Sequence, residues 1–331
     1  MTRSLTGLPF DDIRDLIGGM PSGDEVAAAS VHARNRELAK PVGSLGRLEE
    51  IAEWLARWQG LGRPAVARPL IALFAATHEV AARVSDAPED ATRRAVELVA
   101  AGGAAVNQLA LAAEAGLKIF DLALDMPTPD ITTGEALSEQ ACAATMAFGM
   151  EAIAGGADLL CVAAEGEGNG AVAAALAAAL FGGAGWTEDA REGAVVEAAL
   201  GFHGAAALRD PLEALRRVGG RELAAIAGAI LAARHQRIPV LLDGFAACAA
   251  AAVLHKLNPA ALDHCLAAHR SGALAHDRLL DAIGKAPLLD LGITLENGAG
   301  AALAIGLVRA AASAHEGMAT RAQAGLSWNR G

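Results

Sequence analysis

The sequence of 331 residues contains no tyrosine, and aromatic residues make up only 3% of it. Proteins that bind single-stranded nucleic acid stack bases on aromatic side chains, so this scarcity argues against that class. Basic residues are also in the minority, since 27 lysines and arginines face 38 acidic residues and leave a net charge of −11. A protein of that charge repels the phosphate backbone, and we therefore expect no nucleic-acid partner.

Long apolar runs and signal-like segments are lacking as well. The longest apolar run, Ala171–Phe181, is well short of the roughly 20 residues that span a bilayer. The N-terminal segment carries acids where a signal peptide has its apolar core. The four cysteines are far apart, with no C-x-x-C pair, which favours reduced and buried thiols. We expect a cytoplasmic protein with no membrane partner.

Short β-branched or leucine-rich runs recur along the chain, and each is followed by a small-residue turn and an alanine-rich segment. Because these runs lack polar alternation, they predict strands buried on both faces of a parallel sheet. The alanine-rich segments predict the crossover helices. The sequence therefore predicts an α/β fold over residues 65–305, a doubly wound, mostly parallel, Rossmann-like sheet. The clearest strand candidates are Pro69–Ala76, Leu117–Leu124, Ala157–Ala164 and Ile238–Asp243, and the helix candidates are Ala171–Phe181, Arg221–Arg234 and Gly300–Ala314.

The first 64 residues carry no strand signal. Asp24–Leu38 and Leu45–Trp58 predict two amphipathic helices, with Asp24 as the N-cap of the first. We expect residues 1–64 to form a small helical domain together with the C-terminal segment, residues 306–331.

Three segments follow predicted strands and so lie where an open parallel sheet binds its ligands. Residues 165–170 read E-G-E-G-N-G; these glycines suit an anion at a helix start, but a turn with positive φ selects glycine equally. Asp243 is placed either to bind a ribose hydroxyl or to cap a helix. In residues 295–300, Glu296 stands beside a G-x-G, either as a general base or as a charge that offsets a helix dipole.

The histidines give no metal-binding pattern. Asp263, His264, His269 and His276 are close in sequence but do not share one helical face, and H-x-x-x-H is absent. We expect neither a metal nor a cofactor. His78 follows the first predicted strand, where it either contacts a ligand or is a satisfied buried histidine.

Seven blocks of sequence occur in a fixed order along nearly the whole chain. They are K-P-V-G-S-L-G-R-L-E at 40–49, G-G-A-A-V-N at 102–107, G-G-R-E-L-A-A at 219–225, P-V-L-L-D-G-F at 239–245, A-H-R-S at 268–271 with His276, P-L-L-D-L at 287–291, and M-A-T with A-G-L-S at 318–320 and 324–327. In this order they resemble the motifs of the nicotinate-nucleotide–dimethylbenzimidazole phosphoribosyltransferase family.

The resemblance implies that ribose phosphate passes from nicotinate mononucleotide to 5,6-dimethylbenzimidazole or a similar base, with release of nicotinate. In the family this step makes the lower-ligand nucleotide of cobalamin. The resemblance also implies a homodimer that acts on small molecules without a cofactor. Together with the strand-end positions it gives Glu165 and Glu296 as candidate catalytic residues. The candidate substrate-binding residues are His78, Gly166, Gly168, Asn169, Asp243, Ser271, His276, Asn297, Gly298 and Gly300.

Several polar positions of the family's motifs are exchanged in this sequence. Asn297 stands in the column of the presumed base, with Glu296 one place earlier, and Glu165 stands one place after the column of the phosphate-loop glutamate. Glu192 stands in place of a phosphate-side lysine. Three interpretations stay open. The chain is an active transferase using Glu296 or Glu165 as the base, a catalytically degenerate member that binds a nucleotide or base or regulates a partner, or a transferase with a different acceptor or an uncharged nucleoside donor.

Overall fold

The computed structural model describes residues 7–326, so Ser327 of the last motif and the outer ends of both terminal segments lie outside the described residues. All six strands of the sheet run parallel, in the order β2-β1-β3-β4-β5-β6. The predicted α/β fold with a doubly wound parallel sheet is confirmed. The strands are β1 (Pro69–Ala75), β2 (Gly116–Asp121), β3 (Leu159–Glu165), β4 (Val240–Leu242), β5 (Cys265–His269) and β6 (Pro287–Leu289).

Fourteen α-helices of the described residues cover the sheet and its ends. They are α1 (Pro9–Gly18), α2 (Glu25–Glu37), α3 (Arg47–Gln59), α4 (Ala81–Val84), α5 (Ala91–Ala100), α6 (Ala105–Ala112), α7 (Glu139–Met150), α8 (Asn169–Phe181), α9 (Ala190–His203), α10 (Pro211–Val218), α11 (Arg221–His235), α12 (Gly244–Leu257), α13 (Leu274–Ala282) and α14 (Ala299–Gly317).

The central strands β1 and β3 are buried, whereas the edge strand β2 is not. Every residue of β1 is buried, as is all of β3 up to Ala164, as their unbroken apolar sequences predict. The prediction was wrong for β2, whose side chains are exposed or half-buried. The reason is position: β2 is an edge strand, paired with β1 alone.

The N-terminal helices pack against the C-terminal part of the chain. Asp24 caps α2 as predicted, accepting the N–H of Ala27 at 2.9 Å. The residue after α2, Leu38, bridges to Thr320, so the two ends of the chain meet. The boundary predicted at residue 305 falls inside α14, a single helix of 19 residues. α3, from the predicted small domain, also packs into the hydrophobic cluster that contains β1 of the predicted large domain. The division into a large and a small domain therefore stays a prediction.

One segment of the described residues, Ala91–Ala112, is long and apolar enough to cross a membrane by length and composition. Backbone geometry divides it into α5 and α6, of 10 and 8 residues, with Gly102 at φ +79° between them. Each piece is shorter than the roughly 20 residues that a spanning helix needs.

Two glycines let α7 and α11 touch backbone to backbone. A Cβ added to Gly149 would lie 1.9 Å from the carbonyl oxygen of Ala225, and one added to Gly228 would lie 1.9 Å from that of Met146. Since neither contact is with a flexible side chain, a methyl group forces the helices apart. This contact fixes α11, which carries a residue of the site described below.

We expect Gly228→Ala to lower the free energy of unfolding by about 3 kcal/mol, the upper part of the range for overpacking a core. Urea denaturation measures the change. Gly201→Ala in α9 is the matched control, because an added methyl group there meets nothing within 4 Å. That variant should gain about 0.5–1 kcal/mol from the better helix propensity of alanine. Equal effects of the two variants would contradict the account of this contact.

Candidate active site

The site is built where the chain direction across the sheet reverses. The chain runs from β1 to β2 at one edge and then returns to β3 on the other side of β1. Ligands of open parallel sheets bind outside the carboxyl ends of the strands at such a reversal. Glu165 is the last residue of β3, in register with Ala75 of β1, and its carbonyl oxygen accepts the N–H of Ala76 at 3.1 Å.

The glycines after Glu165 are required by the backbone. A Cβ on Gly166 would lie 2.3 Å from the carbonyl oxygen of Ala76, and Gly168 has φ +84° at the start of α8. The N–H of Asn169 donates to the Gly166 carbonyl at 3.3 Å. The turn alone therefore accounts for Gly166 and Gly168, and their binding of a substrate stays a prediction.

Glu165 and Asn297 bring the first and third candidate segments together. The side-chain amide of Asn297 donates to the Glu165 carboxylate at 3.4 Å. Burial raises the pKa of Glu165; the hydrogen bond from Asn297 opposes the rise, and the charge of Glu167 adds to it. The side-chain oxygen of Asn297 is buried and has no hydrogen-bond partner. Buried acceptors are normally satisfied, so this oxygen is suited to an N–H donor from a ligand.

The Glu296 carboxylate contacts the start of α12. One of its carboxylate oxygens accepts the N–H of Phe245 at 2.8 Å, and Ser271 donates a hydrogen bond to the same carboxylate. Gly244 (φ +81°) makes room for this contact, because a Cβ there would lie 2.5 Å from that of Glu296. Burial raises the pKa of Glu296, although the two hydrogen bonds oppose the rise. The sequence allowed Glu296 to be either a general base or a charge that offsets a helix dipole. The contact with Phe245 matches the second role, at the start of α12 and not of α14.

Asp243 lies inside the protein and holds α14. Its two carboxylate oxygens accept the N–H groups of Gly298 at 2.7 Å and Ala301 at 2.6 Å, and its side chain is fully buried. Gly300 lets the start of α14 pack closely against His269, since a Cβ at Gly300 would lie 2.0 Å from Nδ1 of that histidine. The structure therefore places Asp243, Gly298 and Gly300 in the support of α14 and not on an open surface. These contacts, with residues 55 and 58 positions away, match the capping alternative for Asp243, and its binding of a ribose hydroxyl stays a prediction.

Ser271 and His276 form a layer behind Glu296. Nδ1 of His276 lies 2.9 Å from the Ser271 hydroxyl oxygen, and Nε2 lies 3.5 Å from the Cys248 sulfur. Burial lowers the pKa of His276 to about 4, so the ring is neutral at neutral pH. Both residues are buried, and they are placed to orient Glu296.

His78 is held by two partners that sequence reasoning missed. Its Nε2 lies 2.9 Å from the Glu222 carboxylate and its Nδ1 lies 2.6 Å from the Thr128 hydroxyl oxygen. Both ring nitrogens are thus engaged within the protein, as in the satisfied buried histidine that the sequence allowed. Glu222 is fully buried and lies in the first turn of α11; its place in the block at 219–225 was the one available signal.

A cavity of about 740 Å³ opens beside this site, at the carboxyl ends of β1 and β2. Glu167 and His78 line it, but Glu165, Glu296 and residues 297–300 do not. The first and third candidate segments touch through Glu165 and Asn297, but the open space lies on the side of Glu167, and neither of those two residues lines it. Within residues 7–326, no group of three His, Cys, Asp or Glu side chains is arranged to hold a metal ion.

Comparison with known proteins gives concordant results. A family profile described as "Phosphoribosyltransferase" matches residues 20–326. The nicotinate-nucleotide–dimethylbenzimidazole phosphoribosyltransferase of Allorhizobium ampelinum is 56% identical over 336 aligned positions, covering 98% of each chain. The Agrobacterium fabrum protein of the same name is also 56% identical, over 98% of this chain and 97% of its own. The crystal structure of the Thermus thermophilus protein of that name superimposes with a TM-score of 0.86 at 36% identity, over 92% of this chain and 99% of its own.

Proposed function

Because the chain belongs to the nicotinate-nucleotide–dimethylbenzimidazole phosphoribosyltransferase family, we propose that it transfers the ribosyl phosphate of nicotinate mononucleotide to 5,6-dimethylbenzimidazole or a similar base. Nicotinate is released, and the product is the lower-ligand nucleotide of cobalamin. No cofactor enters the proposal. We further propose that the chain acts as a homodimer in the cytoplasm. The family resemblance supports the dimer, and the four free, buried cysteines suit a reducing compartment.

The reaction needs one proton acceptor. The bond between ribose C1 and the pyridinium nitrogen breaks, and its electron pair leaves with nicotinate as a neutral ring, so no strong acid is required. A benzimidazole nitrogen forms the new bond to C1, and the proton of the ring N–H must pass to a base. A carboxylate within hydrogen-bond reach performs this step.

The observation that carries the assignment is the environment of Glu165. It is a half-buried carboxylate at the reversal point of the sheet, with its pKa raised by burial, beside an amide oxygen of Asn297 that has no partner. A base whose pKa approaches the working pH removes a proton most effectively. The Asn297 amide donates to the carboxylate and orients it toward the incoming base.

Glu296 is the second candidate base and has a different role in our proposal. Its carboxylate already accepts hydrogen bonds from the Phe245 N–H and the Ser271 hydroxyl. These contacts fix the segment that carries Asn297 against the start of α12. We propose that Glu165 accepts the proton and that Glu296, Ser271 and His276 position the Asn297 segment.

The direct test incubates the purified chain with nicotinate mononucleotide and 5,6-dimethylbenzimidazole and follows both products by liquid chromatography and mass spectrometry. The proposal predicts equal amounts of nicotinate and the ribosylated benzimidazole phosphate. Binding of both substrates by calorimetry without any product would contradict it and would favour the catalytically degenerate alternative.

The raised pKa of Glu165 predicts a pH dependence. Transfer requires the ionised carboxylate, so kcat/KM falls as the pH falls through the pKa of Glu165, which lies above the ordinary value of 4.5. Asn297→Ala removes a hydrogen bond that lowers this pKa. The acid limb of the kcat/KM profile should therefore move to higher pH in that variant. Thr294 is exposed in the same segment, and Thr294→Ala should leave the acid limb in place. An acid limb that stayed in place in Asn297→Ala as well would contradict the effect of the Asn297 hydrogen bond on the pKa of Glu165.

A further inference from the structure

A second cavity, of about 570 Å³, lies at the opposite end of the sheet from the candidate active site. Asp263 and Lys285, which line it, stand just before β5 and β6, at the amino ends of those strands. Arg234 also lines it and belongs to the last turn of α11, whose first turn carries Glu222. At 1.5 Å of rise per residue, Arg234 and Glu222 are about 18 Å apart along the helix. The cavity is therefore separate from the site around Glu165.

The charge of Arg234 is buried and unpaired. The side chain packs on Trp58, with the guanidinium carbon 4.2 Å from the centre of the ring, and the residue is only 4% exposed. Its Nε donates to the carbonyl oxygen of Pro21 at 2.8 Å, whereas Nη1 is buried and has no hydrogen-bond partner. The C-terminal end of α11 favours a positive charge, but no carboxylate within residues 7–326 forms an ion pair with it. Buried charges in proteins are normally paired, so this guanidinium is suited to an anionic ligand.

Lys285 is a second unpaired cation of the same cavity. Its Nζ donates to the carbonyl oxygen of Leu262 at 2.7 Å and forms no ion pair in the described part of the chain. Burial lowers the pKa of both Lys285 and Arg234, and the charge of Arg234 adds to the fall at Lys285. An anion held by the two side chains would oppose both effects.

The remaining charged groups of the lining leave this excess of positive charge in place. Arg57 is paired with Glu25, whose carboxylate lies 2.9 Å from Nε of the guanidinium. Asp263 is exposed. The lining thus holds three cations and two carboxylates, and Arg234 and Lys285 are the two cations without an ion pair. In a chain with a net charge of −11, such a cavity concentrates anions locally.

We propose that this cavity binds a phosphate group, either as inorganic phosphate or as the monoester of a small molecule, through Arg234 and Lys285. The planar guanidinium offers N–H donors that match phosphate oxygens, and the ammonium group adds a compact point charge. A phosphate monoester carries about 1.5 to 2 negative charges at neutral pH, enough to neutralise both cations. The site is distinct from the proposed site of ribosyl transfer and does not depend on that activity.

The test titrates the full chain with inorganic phosphate, with ribose 5-phosphate and with ribose, using isothermal titration calorimetry. We expect saturable binding of the two phosphate compounds and none of ribose. Tighter binding of ribose 5-phosphate than of inorganic phosphate identifies a monoester as the ligand, and the reverse order identifies the free ion. Lys285→Gln and Arg234→Gln should each raise the Kd at least about tenfold, the effect of losing one charge-assisted contact. Arg209→Gln, the same loss of charge at an exposed position outside this cavity, should leave the Kd unchanged.

The variants also separate this cavity from the loop after β3, because phosphate bound at that loop does not contact Lys285 or Arg234. An equal Kd in the unmodified chain, Lys285→Gln and Arg234→Gln overturns the proposal, as does the absence of binding of both phosphate compounds. Since Arg234 also packs on Trp58, circular dichroism checks that its variant is folded, and Lys285→Gln decides alone if it is not. Ribosyl transfer is assayed separately, so a failure of the proposed function leaves this result unaffected.

Discussion

Glu165→Gln is expected to lower kcat/KM for ribosyl transfer by about 10²- to 10⁴-fold, the contribution of a positioned general base. Glutamine keeps the size of the side chain and can still accept the Asn297 hydrogen bond, but it cannot take the proton of the benzimidazole ring. The change should appear mainly in kcat, because the binding surface is retained. Steady-state kinetics with nicotinate mononucleotide and 5,6-dimethylbenzimidazole, at a pH above the acid limb, measures it.

The matched comparison is Glu296→Gln. The amide oxygen of glutamine still accepts the N–H of Phe245, so the positioning of the Asn297 segment is largely kept and the loss should stay below about tenfold, close to that of one weakened hydrogen bond. If Glu296→Gln abolished transfer while Glu165→Gln did not, the two roles would have to be exchanged.

Asp243→Ala should have a large effect on stability. The substitution leaves two buried backbone N–H groups, of Gly298 and Ala301, without their acceptor. Each unsatisfied buried group costs about 1–3 kcal/mol, so we expect a loss of about 3 kcal/mol in the free energy of unfolding. Urea denaturation followed by circular dichroism gives the value.

The control for this variant is Asp290→Ala, the same change at a side chain that is 65% exposed. The Asp290 carboxylate makes a long ion pair, 3.5 Å from its Oδ2 to Nη1 of Arg270. An exposed ion pair contributes little, and the loss there should be below about 1 kcal/mol. A loss at Asp243 no larger than at Asp290 would show that the buried carboxylate does not hold α14.

The sequence predicts the elements whose signal is local. β1 and β3 carry unbroken apolar runs, and α2 begins at the aspartate that caps it. β5 and β6 gave no comparable signal, because one is the alanine-containing run C-L-A-A-H and the other is three residues long. They are strands because β5 pairs with β4 and with β6. The local sequence of neither segment indicates this pairing.

The candidate site shows the same limit. The sequence places the correct loops at the carboxyl ends of strands, but it does not tell which way each side chain turns. Glu296 contacts a residue 51 positions away, Asp243 one 55 positions away, and His78 one 144 positions away. Such contacts depend on how the helices stack on the sheet. For this reason, both the helix support given by Asp243 and the partner of His78 became visible only in three dimensions.

A crystal structure of the chain with 5,6-dimethylbenzimidazole and nicotinate bound tests the central claim most directly. The account predicts a ring nitrogen of the benzimidazole about 2.6–3.2 Å from the Glu165 carboxylate, the distance a general base requires, with the base beside Asn297. A base whose nitrogens face Glu296, or that binds with no carboxylate within reach, would contradict it.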